Sequence, residues 1–165
     1  LRGYDNEIGA MDKCICLIIN DIDNSVHSQK QGNLGLYNDL KLLSNKGDLY
    51  RLIKRLYTEG FDVYVTSDHG HRETKTIGTP RGMGVEVETK SKRTLILKEF
   101  GAYENIMDEF NLTEFPQYYL PKQYRYLVCN YNESFGIGNN IAVSHGGTSI
   151  EEVIVPFIKI EGVDQ

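Results

Sequence analysis

The chain has 165 residues, of which 25% are charged and 40% hydrophobic, and its formal net charge is -5. These values are ordinary for one soluble globular domain, and the acidic balance argues against nucleic-acid binding as the main function. No apolar stretch approaches the roughly 20 residues of a membrane span, and no signal-peptide pattern opens the chain. The sequence therefore predicts a cytoplasmic protein with no membrane partner and no direct nucleic-acid binding.

The first apolar run, residues 13–19, is typical of a central parallel strand that is covered on both faces. Cys14 and Cys16 lie inside this run, so we expect both to be buried and reduced. With Cys129 they make an odd number that cannot all pair within one chain, which favours a reducing compartment.

The clearest helix follows, because apolar residues recur at i, i+3, i+4 and i+7 from Leu49 to Leu56, and Gly60 supplies a stop. Residues 61–66 then form a β-branched and aromatic run that predicts a second buried strand. A strand, a helix and a strand of this size make a βαβ unit, so the two strands are expected to be parallel neighbours.

The other elements are shorter, and they are separated by polar or proline-containing segments. Strands are predicted at residues 84–88, 93–97, 126–129, 141–143 and 157–160. Helices are predicted at residues 36–43, at residues 102–110, and from Thr148 or Ser149 through Val155. Loops are expected at residues 28–35, 71–83 and 112–125. The basic run of Lys90, Lys92 and Arg93 is expected to be a solvated strand start rather than a phosphate track.

Three polar segments follow apolar strands and carry metal-ligand side chains. Asp23 and His27 are spaced i, i+4, which puts them on one face of a helical turn. Asp68 and His69 follow the second strand, and His145 follows a later one. Because the carboxyl ends of parallel strands meet at one sheet edge, these side chains can build one site. Carboxylate oxygen with imidazole nitrogen suits zinc or manganese, whereas ordinary surface turns are the alternative interpretation of each segment.

In this order and at these strand ends, the segments Asp23-x-x-x-His27, Asp68-His69-Gly70 and His145-Gly146-Gly147 resemble the alkaline phosphatase superfamily. The closing segment, residues 144–156, resembles the PglZ domain branch, which is associated with bacterial phage-defence systems and with some response regulators. The resemblance runs from about residue 14 to residue 160. It implies an α/β fold with a mostly parallel sheet and helices on both faces.

The resemblance also implies roles for these residues. Asp23, His27 and His145 would bind one divalent ion, with Asp21 as a competitor of Asp23, and Asp68 and His69 would bind a second ion. Zinc is favoured, and manganese or magnesium are alternatives. His71 and Arg72, in the next loop, are candidate phosphate contacts, although a solvent-facing loop is the competing interpretation.

The superfamily pattern also needs an N-terminal strand that supplies an aspartate and a Ser or Thr nucleophile, and nothing in residues 1–12 matches it. We therefore expect residues 1–165 to be the C-terminal portion of an alkaline-phosphatase-like domain, with the nucleophile upstream and no catalytic nucleophile of its own. On that expectation the isolated chain hydrolyses phosphate esters poorly or not at all.

The implied activity is metal-dependent hydrolysis of a phosphomonoester or a nucleotide phosphodiester, in a protein that works with phage-defence or signalling partners. A non-catalytic regulatory or scaffolding module of such an assembly is the alternative.

Overall fold

The computed structural model describes residues 8–9, 11–80, 91–98 and 103–162. In that part of the chain the helices are α1 (Asp21–Ser28), α2 (Gly32–Lys46), α3 (Asp48–Thr58), α4 (Tyr103–Glu109) and α5 (Ile150–Val153). The strands are β1 (Tyr64–Thr66), β2 (Arg72–Thr76), β3 (Thr94–Leu97), β4 (Thr113–Glu114), β5 (Arg125–Val128), β6 (Glu133–Ser134), β7 (Ile141–Ser144) and β8 (Phe157–Lys159). The predicted strand at residues 84–88 lies outside the described residues, and so does Lys90 of the basic run.

Helix α3 confirms the helix prediction made from the apolar repeat. Leu52 and Leu56 are buried. The chain turns out of the helix at Gly60, whose φ of 89° is the left-handed conformation that glycine adopts without strain. The Gly60 N–H donates to the Tyr57 carbonyl and the Phe61 N–H donates to the Leu56 carbonyl. These two hydrogen bonds satisfy the last helical carbonyls and turn the chain toward β1.

Residues 14–19, all of them described, form no strand, so the prediction of a central strand there is wrong. Ile15, Leu17 and Ile19 are half-buried against the apolar cluster around α3. The alternate residues Cys14, Cys16 and Ile18 are exposed. The predicted burial of the two cysteines is therefore also wrong. Among the described residues, apolar side chains cover only the side of this segment that carries Ile15, Leu17 and Ile19, and the cysteines lie on the other side.

The sheets also correct the predicted fold, which is α/β but not mostly parallel. β1 pairs with β8 antiparallel, and β5 pairs with β3 and β4 antiparallel. β2 pairs antiparallel with β7 and parallel with β6. Among the described strands, the β2–β6 pair is therefore the one parallel pair, and the expected parallel neighbours of a βαβ unit are not formed.

Strand β2 lies in a segment predicted as a loop. Its side chains alternate, with Thr74 and Thr76 buried and Glu73 and Lys75 exposed. Thr74 shares hydrogen bonds with the hydroxyl of Ser144 at 2.9 Å and with that of Ser134 at 2.8 Å. The Thr74 hydroxyl on the inward face of β2 is thus hydrogen-bonded, and buried polar groups are well tolerated when they are hydrogen-bonded.

The largest apolar core lies between the β3–β5–β4 sheet and α4. Its buried members include Leu95, Leu97, Ile106, Leu127 and Phe135. This packing agrees with the predictions of a strand at residues 93–97, a helix at residues 102–110 and a strand at residues 126–129. Ala102, the first residue of the predicted helix, lies outside the described residues.

The remaining differences concern element lengths. Helix α2 (Gly32–Lys46) is longer than the predicted helix at residues 36–43, and it takes over part of the predicted loop at residues 28–35. Helix α5 ends at Val153, two residues before the predicted end. Strand β4 falls within the predicted loop at residues 112–125. Of the helices described, none combines the length and the apolar character that crossing a bilayer requires.

Candidate metal centre

Three separate elements carry the histidines and aspartates that the sequence singles out. Asp23 and His27 lie on α1, four residues apart and on one face of the helix. Asp68 and His69 follow the last residue of β1, and His145 directly follows β7. All five side chains are within the described residues, so their distances can be compared directly.

The antiparallel pairing of β2 with β7 brings two of these segments together. In its register Arg72 is opposite Ser144. His69 lies just before the start of β2 and His145 just after the end of β7, so both reach the same edge of the sheet. Their imidazole rings stack with centroids 3.8 Å apart and planes 8° from parallel.

Helix α1 is held beside this edge by apolar packing. Val26 on α1, Leu36 on α2 and Val143 on β7 form one buried cluster. Since Val143 lies two residues before His145, and Val26 directly precedes His27, this contact fixes the polar face of α1 near the stacked rings.

Asp23, His69 and His145 form a group that could hold a metal ion. The Oδ1 atom of Asp23 lies 3.8 Å from Nε2 of His145 and 4.0 Å from Nε2 of His69, and the potential ligand atoms of the three residues all lie within 4.8 Å of one another. A carboxylate oxygen and two imidazole nitrogens at these separations can converge on one metal ion.

His27 and Asp68 border this group on either side. Nε2 of His27 lies 3.2 Å from Nε2 of His145 and 3.5 Å from Oδ2 of Asp23. Oδ1 of Asp68 lies 3.7 Å from Nε2 of His69, but the Asp68 side chain is 89% exposed. The structure thus brings all five residues into one cluster, in which Asp23 lies near His69 as well as near His27 and His145.

The charge balance of the cluster favours a cation. Oδ1 of Asp23 is buried and has no hydrogen-bond partner among the described residues. The pKa of His145 lies below its ordinary value, first because burial disfavours the imidazolium and then because His69 and His27 would add positive charge nearby. A neutral imidazole beside an unsatisfied carboxylate oxygen is the protonation state that a metal ligand requires.

A backbone contact fixes the orientation of His69. Its Nδ1 lies 2.9 Å from the carbonyl oxygen of Gly70. A carbonyl can only accept a hydrogen bond, so Nδ1 carries the proton and Nε2 presents its lone pair toward Asp23 and His145. Such a hydrogen bond from the second nitrogen is the usual support of a metal-binding histidine.

His71 and Arg72, the candidate phosphate contacts, lie at the start of β2. The pKa of His71 is lowered by burial and then by the neighbouring His69. Arg72 lies over the ring of Tyr131, 3.4 Å from its centroid, and donates to Asn132 and Glu151. The Arg72 guanidinium is therefore engaged with groups of the chain itself.

A comparison with protein-family models gives a match over residues 6–160 to the BREX system PglZ alkaline phosphatase-like domain. The chain belongs to this PglZ family. The family connects the chain with a superfamily of phosphoesterase-like domains, in agreement with the resemblance noted in the sequence. A search of curated proteins found no match.

The PglZ domain contains a buried ion pair that the sequence analysis missed. Arg93 and Glu152 have side chains that are each 1% exposed, and the guanidinium meets the carboxylate through Nε–Oε1 at 3.0 Å and Nη2–Oε2 at 3.1 Å. The expectation that Arg93 is solvated is therefore wrong. An isolated buried arginine would be very costly, and here the carboxylate and three backbone carbonyls, of residues 130, 131 and 133, compensate it.

One signal in the sequence pointed to the glutamate of this pair. Ser149 and Glu152 have the spacing of a capping box, and Ser149 is the N-cap of α5. Burial raises the pKa of Glu152, but hydrogen bonds from Ser149 and the Gly147 N–H, together with Arg93, outweigh it, so the pKa stays below its ordinary value. Glu152 is thus a buried anion, and its arginine partner has no signature in the local sequence.

The residues of the cluster fit a divalent ion of the kind that alkaline-phosphatase-like domains use. The fit rests on the unsatisfied buried oxygen of Asp23, the two inward-facing imidazoles and the oriented His69. Asp21, the competing aspartate, precedes Asp23 on α1, but the described residues place Asp23 in the three-residue group.

Proposed function

We propose that this PglZ domain is a metal-dependent phosphohydrolase that acts on phosphomonoesters or nucleotide phosphodiesters. The observation that carries the proposal is the convergence of Asp23, His69 and His145, from three different elements, within a family of alkaline phosphatase-like domains. A group of this kind is expensive to keep without a ligand, because one carboxylate oxygen is buried and unsatisfied.

Asp23, His69 and His145 would hold the ion, and His27 and Asp68 are close enough to complete its shell or to contribute to a second one. The mixture of imidazole nitrogen and carboxylate oxygen favours zinc, with manganese or magnesium as alternatives. When bound, such ions polarise the phosphate ester and stabilise the charge that develops on its oxygens.

The residues of the chain have their own tasks in this proposal. Asp23 supplies the negative charge, and its position on α1 is set by the packing of Val26. His69 presents Nε2 because Gly70 accepts its other N–H. His71 and Arg72 lie next to His69 and remain candidate phosphate contacts, although Arg72 would first have to leave Glu151 or Asn132.

The family description, which names a BREX system, supports a proposal about the biological setting. We propose that the domain works in bacterial phage resistance or signalling, with a phosphate ester or nucleotide as substrate and other proteins of the defence system as partners. A cytoplasmic location is part of this proposal.

The first test is metal binding and hydrolysis by the purified protein. Zinc and manganese binding are measured by calorimetry, and hydrolysis is measured with p-nitrophenyl phosphate and its bis-ester. Asp23→Asn keeps the shape of the side chain but removes the charge, so we expect metal affinity to fall by at least about tenfold. Asp39→Asn is the matched control, because the exposed Asp39 carboxylate accepts a hydrogen bond from the Gln29 side chain, outside the cluster. A wild-type protein that binds neither metal, or a D23N variant with unchanged affinity, would refute the metal site.

A second candidate is the non-catalytic module, and one observation favours it. α5 and the segment that follows it expose large apolar side chains, with Ile150 74%, Ile154 67% and Phe157 75% exposed. Exposed apolar patches often mark surfaces that bind other proteins. A wild-type protein that binds neither zinc nor manganese would favour this candidate over the hydrolase.

A further inference from the structure

The buried pair of Arg93 and Glu152 is connected to both stacked histidines. Its burial and bidentate geometry make it one of the most constrained contacts in the described chain. The pair lies beside the loop that follows His145, because Oε1 of Glu152 accepts the Gly147 N–H. The contacts of each partner show what the pair holds in place.

The carboxylate of Glu152 fixes the loop that follows His145. Its Oε1 accepts the Gly147 N–H at 2.9 Å, and its Oε2 accepts the Ser149 hydroxyl at 2.7 Å and the Ser149 N–H at 3.3 Å. The carbonyl of His145 itself accepts a hydrogen bond from Ser91 at 3.1 Å. The backbone that follows the His145 ring is therefore anchored to the buried Glu152 and to the half-buried Ser91.

The backbone of the same glutamate fixes the other histidine. The carbonyl oxygen of Glu152 accepts the Gly70 N–H at 2.8 Å, and the carbonyl of Gly70 accepts the Nδ1 proton of His69. Glu152 thus contacts the loop of His145 through its side chain and the loop of His69 through its main chain. A shift of this one residue would change the distance between the two rings.

We propose that the Arg93–Glu152 pair is a positioning device that sets the spacing of His69 and His145. The proposal rests on the proposed function in so far as that spacing serves a metal ion. Arg93 and Glu152 are positioning residues and not catalytic ones, because neither reaches the ligand atoms. Lysine cannot replace Arg93 fully, since it lacks the planar fork that meets the carboxylate and the three carbonyls at once.

Two readouts on Glu152→Gln test the proposal. The first is the NMR cross-peak between ring protons of His69 and His145 in the metal-free protein, which the stacking predicts for the wild type. The second is titration with Co²⁺, followed by the visible absorption of the bound ion. We expect E152Q to lose the cross-peak, to change the Co²⁺ spectrum and to bind Co²⁺ about 10- to 100-fold more weakly, as for other supports of metal ligands.

Glu114→Gln is the matched control, because Glu114 also pairs with an arginine, Arg125, but contacts neither histidine loop. E114Q should keep the wild-type cross-peak and Co²⁺ spectrum. A folded E152Q that keeps both would overturn the proposal. If E152Q does not fold, Arg93→Lys decides: a weaker cross-peak and weaker Co²⁺ binding support the proposal, and wild-type values in folded R93K overturn it.

The two proposals can fail separately. A wild-type protein that binds no Co²⁺ refutes the metal centre. In that case a cross-peak present in the wild type and in E114Q but absent in E152Q still supports the positioning role. A cross-peak that is equal in all three proteins refutes the positioning role whatever the metal result.

Discussion

Gly70 offers a direct way to displace His69 without touching a ligand atom. A Cβ atom added at Gly70 would lie 1.9 Å from the carbonyl oxygen of Glu151. Contacts below 3.0 Å essentially never occur, so Gly70→Ala has to move one of the two segments by roughly 1 Å. The φ angle of Gly70 is outside the left-handed region, so an alanine backbone is acceptable there and the collision is the main effect.

The expected consequences follow from the contacts of Gly70. Its N–H bond to the Glu152 carbonyl would lengthen or break, which costs about 1 kcal/mol of stability. Its carbonyl would carry the His69 ring away from His145 and Asp23. Because a misplacement of about 1 Å in a preorganised site can cost about 100-fold in activity, we expect metal affinity to fall by about 10- to 100-fold.

Calorimetric zinc titration and thermal unfolding of the metal-free protein measure the two effects. Gly60→Ala is the control, because Gly60 has a φ of 89° and a Cβ atom added there would meet nothing within 4 Å. G60A should lose about 1–2 kcal/mol of stability through backbone strain and keep wild-type zinc affinity, since α3 does not carry a ligand. A G70A variant with wild-type unfolding temperature and zinc affinity within about twofold would refute the reasoning.

Two further predictions concern the cysteines and the pH dependence of stability. Exposed Cys14 and Cys16 should react with iodoacetamide in the native protein, whereas buried Cys129, whose pKa burial raises to about 12, should react only after denaturation; mass spectrometry showing three adducts on the native chain would contradict this. The pKa values of His71 and His145 lie below the ordinary 6.5, mainly through burial, so the unfolded chain binds protons more readily. The stability that these two histidines contribute is present above about pH 6.5 and is lost as the pH falls below it. Urea unfolding of the metal-free protein should therefore give a lower free energy of unfolding at pH 5.5 than at pH 7.5. An unchanged or higher free energy of unfolding at pH 5.5 would contradict the lowered pKa values.

The parts of the fold that could be predicted are those in which one element carries its own pattern. The repeat from Leu49 to Leu56 buries one face of α3 whatever surrounds it, and Gly60 ends the helix by local geometry. Strand β2 could not be found in this way. Its inward residues Thr74 and Thr76 are polar, so the sequence lacks the alternation of apolar and polar residues that marks a strand. The hydroxyl groups that hydrogen-bond Thr74 and make its burial possible lie 60 to 70 residues away.

The site shows a different limit. The residue types and the i, i+4 spacing predicted Asp23 and His27 as metal ligands, and the strand ends predicted Asp68, His69 and His145. These roles stay predictions, but the structure does bring the side chains together. The expected reason for their convergence was the common edge of a parallel sheet. In the structure, the antiparallel β2–β7 pair brings His69 and His145 together, because the start of one strand lies beside the end of its partner. One sequence shows the order and the chemistry of its residues. Whether two strands pair parallel or antiparallel depends on long-range contacts that no local sequence pattern encodes.

The segment that points most strongly to the PglZ family can now be given a physical meaning. His145 is the residue of this segment that would bind the ion of the proposed site. Gly146 has a φ of 91°, which favours glycine, and a Cβ at Gly147 would lie 2.6 Å from Oε2 of Glu152. Ser149 and Glu152 close the capping box at the start of α5. Glycine at position 147 therefore allows the loop to approach the buried carboxylate, and Ser149 bonds to it. On the proposed positioning role, the motif holds the His145 imidazole in place through the buried carboxylate. Substitutions at Gly147 should therefore weaken metal binding as much as substitutions nearer the proposed ligand atoms.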